Sequence, residues 1–146
     1  MRILFFLATL YLTTSYAGAQ SLPYAPAIKV TRVLQTSTDS LGRPLTYAST
    51  KKPEVTMLFV EIPPGAQTGW HMHPVQGYAY IISGHLAVES RYGIHIFQAG
   101  QGVVEPMGIL HNGKNIGKEP VKLIVIFTGE RNEPVAVKAQ HSPPKK

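Results

Sequence analysis

The chain of 146 residues contains no cysteine. Disulfides and thiolate metal sites are therefore excluded. Any bound metal must rest on imidazole, carboxylate, amide or water. Aspartate occurs once, at Asp39, and no G-x-S-x-G elbow accompanies it, so nothing points to a Ser-His-Asp triad. A P-loop and a dinucleotide fingerprint are missing as well. Charged residues make up only 15% of the chain, which is the opposite of a disordered composition. No segment sustains an apolar period near 3.6, so no amphipathic helix is expected.

The formal net charge is +6, and +5 without Arg2, because all eight acidic residues follow residue 19. Lys51-Lys52 and Lys145-Lys146 are the only adjacent basic pairs. There is no basic stripe with interleaved aromatics, so nucleic acid is not expected as a partner. Arg2, the apolar run Ile3 to Leu12 and the small-residue end Ala17-Gly18-Ala19 follow the plan of a secretory signal peptide cleaved after residue 19. The run is shorter than the roughly 20 residues that span a bilayer. The expected product is therefore secreted or periplasmic, starts at Gln20 and has no stable membrane insertion. Residues 20–27 read as a flexible leader, 28–128 as one domain and 129–146 as a polar tail, loose after Val137.

Thirteen glycines and twelve prolines punctuate the chain. Between them lie short β-rich runs: Ile28 to Thr36, Val55 to Ile62, Tyr78 to Ile82, Leu86 to Val88, Ile94 to Phe97, Gly102 to Glu105, Leu110 to Asn112 and Val121 to Phe127. Many short strands with regular turn signals predict an all-β sandwich or barrel.

His71 and His73 are two apart, so in a strand both point to one face. His111 arrives from a second turn and strand. Neutral imidazoles converging in this way suit a divalent transition metal. The flanks extend the pattern. Gly65, five residues, His71, one residue and His73 are followed by Gly84 at the end of Tyr80-Ile81-Ile82-Ser83. Gly100, five residues, Pro106, one, Gly108, two, His111, three and Asn115 form a second block, about 15 residues further on.

These two blocks resemble the paired motifs of the cupin superfamily, in its small single-domain form, and the likeness runs roughly from Ile28 to Phe127. The resemblance implies a jelly-roll-like barrel of two antiparallel sheets. It also implies a metal (Fe, Mn, Ni, Zn or Cu) held by His71, His73 and His111. The family usually places a glutamate four residues after the second histidine, and here that position is Gly77. Gln76 and Glu105 are the candidate fourth ligands. Strand alternation turns Gln76 away from the His73 side, and Glu105 reads first as a solvated turn residue. A glutamate restored at Gly77 is expected to tighten metal binding. Tyr78 and Tyr80 are expected to pack between the sheets, and Trp70 to belong to the core or a pocket wall. His85 and Glu89 are expected in solvent, His95 in no decided direction, and Asn115 in a structural hydrogen bond.

The functional expectation is metal-dependent chemistry on a small polar molecule, of dioxygenase, isomerase or lyase type. The metal would act as a Lewis acid, or activate dioxygen if it is iron. The alternative is a non-enzymatic module binding a sugar or another small ligand. Because cupins often pair through strands, a homodimer is also expected.

Overall fold

The computed structural model describes residues 24–140. The expected cleavage site at Ala17-Gly18-Ala19 and the tail histidine His141 lie outside the described residues. The chain divides into two units, Met1–Thr31 and Arg32–Lys146. In the described part of the first, the Ile28 amide donates to the Ala25 carbonyl at 2.9 Å, closing a turn.

Regular structure in the second unit is β: β1 (Pro53–Ile62), β2 (His71–Met72), β3 (Gln76–Ser83), β4 (His85–Ser90), β5 (Gly93–Gln98), β6 (Gly102–Val104), β7 (His111–Asn115), β8 (Val121–Glu130) and β9 (Val137–Lys138). They form two antiparallel sheets, ordered β1-β8-β3-β6 and β5-β4-β7-β2-β9. This is the expected all-β architecture of two antiparallel sheets. Among the described residues no helix is long and apolar enough to cross a membrane.

The alternation of β8 makes the core. Val121, Leu123, Val125 and Phe127 are buried while the residues between them are partly exposed. Burying each such side chain stabilises the fold by about 1.5–3 kcal/mol. Ala79 and Ile81 of β3, Leu86 of β4 and Val103 of β6 pack into the same cluster. The β3–β4 turn depends on Gly84, which has φ +82°. A Cβ there would meet the Val121 backbone at 2.9 Å, so only glycine suits both the backbone and the space.

The turn expected between Thr36 and Pro44 closes on Asp39. Its carboxylate accepts from the amides of Leu41 (2.9 Å) and Arg43 (3.0 Å) and from Arg43 Nε (2.7 Å). Burial pushes the Asp39 carboxyl up, but the bonds from Arg43 and Leu41 outweigh it and hold the group below its ordinary value. Arg43 Nη2 also donates to the Met107 carbonyl at 3.0 Å, which ties this turn to the segment that delivers His111.

The structure departs from the sequence expectations in three places. Ile28 to Thr36 forms no strand. The alternation is there, yet Ile28, Val30, Val33 and Leu34 stay exposed and no neighbour supplies a ladder. The segment read as polar tail from residue 129 also carries strand structure. Strand β8 runs on to Glu130, and β9 pairs His71 with Lys138 and Met72 with Val137. Finally, Tyr78 and Tyr80 alternate against the buried Ala79 and Ile81, so they lie on the outer face rather than between the sheets.

Candidate metal centre

Strand pairing brings the first two histidines together. In the β2–β7 pair, His71 is the direct cross-strand partner of His111, and opposite residues share a face. His73 follows one residue beyond β2, and its carbonyl accepts from the Gly108 amide at 2.8 Å. The turn at Pro106-Met107-Gly108 thus holds His73 by its backbone while delivering His111. The ring centroids lie 4.4 Å (His71–His111), 4.9 Å (His71–His73) and 5.0 Å (His73–His111) apart. Ring nitrogens of the three lie within 4.8 Å of one another.

Each imidazole is fixed in one tautomer by a backbone carbonyl. His71 Nδ1 donates to Gly69 at 2.8 Å, His73 Nδ1 to Val135 at 2.6 Å and His111 Nδ1 to Ile109 at 2.8 Å. A carbonyl can only accept, so the proton sits on Nδ1 and each Nε2 keeps its lone pair. Burial lowers the basicity of His111 and, most strongly, of His73, which falls to about 4; the neighbouring imidazoles add to this. His73 and His111 are therefore disposed to stay neutral, as ligands must be.

Glu105, one of the two candidate fourth ligands, belongs to this cluster. Its side chain is half-buried, but Oε2 is out of solvent and lies 3.2 Å from His73 Nε2. That distance suits an ion pair, but among the described residues the same oxygen has no hydrogen-bond partner. The tautomer explains the conflict: with Nδ1 protonated, a carboxylate lone pair faces the lone pair of Nε2. Only a proton or a cation between them satisfies both atoms. Burial accordingly pushes the Glu105 carboxyl up to about 7. The reading of Glu105 as a solvated turn residue is corrected.

The register gives the reason for its position. Tyr78 pairs with Val104 and Ala79 with Val103, so Glu105 stands opposite Gly77, to whose carbonyl its amide donates at 2.9 Å. A Cβ on Gly77 would collide with Glu105 Oε2 and lie 2.9 Å from Phe127 Cε1. The carboxylate missing from position 77 is replaced in space by one from the facing strand. A glutamate added at Gly77 would therefore not fill a gap, contrary to the sequence expectation.

Gln76 does not line the cavity at this site. Its amide nitrogen donates to the carbonyls of Glu105 (2.8 Å) and Gly77 (3.1 Å), so it pins the two backbones that face each other there. Asn115 has its expected structural role. Fully buried, it donates to the carbonyls of Ile62 (2.9 Å) and Glu119 (2.7 Å) and accepts from the Gly117 amide (2.8 Å). His85 and Glu89 are exposed, and His95 is half-buried. Trp70 belongs neither to the buried core nor to the cavity wall.

The histidines and Glu105 open onto a cavity of about 200 Å³ between the sheets, walled largely by aliphatic side chains. Three convergent Nε2 lone pairs beside an orphaned buried carboxylate oxygen are a donor set that fits a divalent cation.

Comparison with known proteins agrees with this geometry. A cupin domain family model matches residues 58–127. No curated protein matches the chain by sequence. Among solved structures, oxalate decarboxylase from Lactobacillus farciminis in its formate complex is similar, with 29% identity and a TM-score of 0.50. The match covers 57% of this chain and 26% of that one. A variant of Bacillus subtilis oxalate decarboxylase is similar at 28% identity and a TM-score of 0.50, over 57% of this chain and 23% of that one. An uncharacterised Klebsiella pneumoniae subsp. pneumoniae protein with a double-stranded β-helix domain shares the fold, at 20% identity and a TM-score of 0.52. It is covered over 86% of its length, against 66% of this chain. The chain spans about a quarter of the length of the decarboxylases. Residues 58–127 are thus similar to the cupin domain family, and the matched stretch contains His71, His73 and His111.

Proposed function

We propose that this chain is an exported cupin protein that holds one divalent transition metal on His71, His73 and His111, with Glu105 as the fourth protein donor, and works on a small molecule there. The observation that carries the reading is the set of three Nδ1–carbonyl bonds, which leave three Nε2 lone pairs beside an unsatisfied buried carboxylate oxygen. When bound, such a metal supplies Lewis-acid polarisation of an oxygen donor, or redox chemistry if it is iron, manganese or copper.

The protein's own residues do the rest. Backbone carbonyls of Gly69, Val135 and Ile109 aim the imidazoles. Glu105 is placed to hold a proton at Oε2 when no cation is bound and to release it when one is. The aliphatic wall keeps the donor end in apolar surroundings. The oxalate chemistry of the structural relatives is not carried over, since the match covers a quarter of those chains.

The test is elemental analysis of protein recovered from the exported fraction, with mass spectrometry of its N-terminus. The reading predicts about one transition-metal ion per chain and Gln20 as the first residue. Metal-free protein with an intact Met1 contradicts it. Loss of turnover on chelation supports the enzymatic form, and ligand-dependent stabilisation without product supports the binding-module form.

A further inference from the structure

The cavity beneath the histidines is polar at one end only. His71, His73, His111, Glu105 and Thr68 gather there, with Thr68 Oγ1 3.5 Å from His71 Nδ1. The rest of the lining is apolar: Val60 and Ile62 of β1, Val125 of β8, and Leu86 and Val88 of β4. Phe127 of β8 packs on His73, with ring centroids 4.8 Å apart. Among the described residues no lysine or arginine lines it, although the chain has 14 of them.

A wall of this kind sets conditions on its ligand. A second charged group, pushed away from the donor end, would lose its hydration and meet no partner. Burying an unpaired carboxylate in apolar surroundings costs several kcal/mol, enough to decide affinity. An apolar group in the same place gains by leaving water. Size narrows the choice further. An engineered apolar cavity of about 150 Å³ accepts benzene, and this one measures about 200 Å³.

From these observations we infer that the site takes a compact, largely apolar molecule of about one ring, with oxygen donors at one end only, and discriminates against dicarboxylates. The inference rests on the metal-site reading above and narrows it. It also replaces the small polar molecule expected from the sequence with one that is polar only where it meets the histidines. Leu58, 38% exposed on β1, lines the same cavity and is the place where a cation can be introduced with least disturbance to the core.

The experiment uses the full chain loaded with zinc, a redox-silent ion, after its metal content has been measured. The two probes are p-toluate and terephthalate, titrated by calorimetry. They share a ring and a donor carboxylate and differ at the far end, methyl against carboxylate. Terephthalate is symmetric, so turning it round does not spare it. The expected result is that p-toluate binds roughly tenfold or more tightly. Leu58→Arg should strengthen terephthalate and narrow the gap. Equal or tighter binding of terephthalate by the unsubstituted chain overturns the inference. So does a loaded chain that binds no p-toluate, or a folded Leu58→Arg variant with unchanged terephthalate affinity. A chain that takes up no zinc defeats the metal-site reading instead. The same pair titrated against that zinc-free chain then tests the wall by the same preference.

Discussion

Gly77 and Glu105 face each other across β3 and the end of β6, and there is room for one side chain between them. The pair sets a residue-scale prediction. Gly77→Glu should weaken zinc binding, because the added side chain displaces Glu105 and crowds Phe127; overpacking of this kind costs about 1–3 kcal/mol. Gly77→Glu combined with Glu105→Ala should bind zinc more tightly than Gly77→Glu alone, as read by calorimetric titration. A Gly77→Glu variant that binds more tightly than the unsubstituted chain would mean that Glu105 is not in the way. The histidines were legible in the sequence because the joint spacing of the two motif blocks points to one site; β2 itself ends at Met72, so His73 is held by the bond from the Gly108 amide rather than by strand alternation. Glu105 was legible only as one of two candidate fourth ligands, because the choice between them depends on cross-strand register. Register is fixed by pairing between distant segments and leaves no mark in the local spacing.

At the scale of elements, the centre is assembled from three layers of pairing: β7 beside β2, β2 beside β9, and the segment before β9 beside His73. The last of these reached the site from a stretch that composition alone marked as polar tail. Two strand pairs and one carbonyl, Val135, are too small a signal for periodicity to reveal. The strong strands were legible for the converse reason: β8 alternates over its whole length. Removal of residues 131–146 should leave both sheets folded, since β1, β8, β3 and β6 are intact and the other sheet loses only its two-residue edge strand β9. It should weaken zinc binding by about 10–100-fold, the usual effect of losing a group that orients a ligand. Circular dichroism and zinc titration of the truncated chain check both halves. Undiminished affinity would show that the Val135 carbonyl does not orient His73.

For the whole molecule, the buried ionisable groups give the metal-free protein a characteristic pH response. His73, lowered to about 4 from an ordinary value of 6.5, contributes stability that is present above pH 6.5 and lost as pH falls through 4. His111 is lowered too and adds to the acid-side loss. Glu105, raised from 4.5 to about 7, acts in the opposite sense: its contribution is complete below 4.5 and is lost as pH rises through 7. Stability of the metal-free chain should therefore peak near pH 6 to 7 and fall on both sides. The alkaline fall from that peak is about 1 kcal/mol, because most of the Glu105 contribution is already lost between pH 4.5 and 6.5. Urea unfolding at about pH 5, 6.5 and 8 measures it. Glu105→Gln should abolish the alkaline fall, and saturating zinc should do the same by satisfying the ionised carboxylate. A fall at pH 8 that survives Glu105→Gln would place its cause elsewhere.

The central claim is that His71, His73 and His111 hold one ion together. Its most direct test is metal content and affinity for the unsubstituted chain beside His71→Ala, His73→Ala, His111→Ala and, as a control, His85→Ala, whose imidazole is exposed on β4. One bound ion per chain is predicted for the first and the last. Each of the three site variants should lose most of its affinity while keeping its β-sheet circular dichroism, because the core of β8, β3 and β4 does not depend on the metal. Losses on combining two of them should fall short of additive, since the second substitution acts on a site already broken. Full occupancy in a folded His111→Ala variant would contradict the claim.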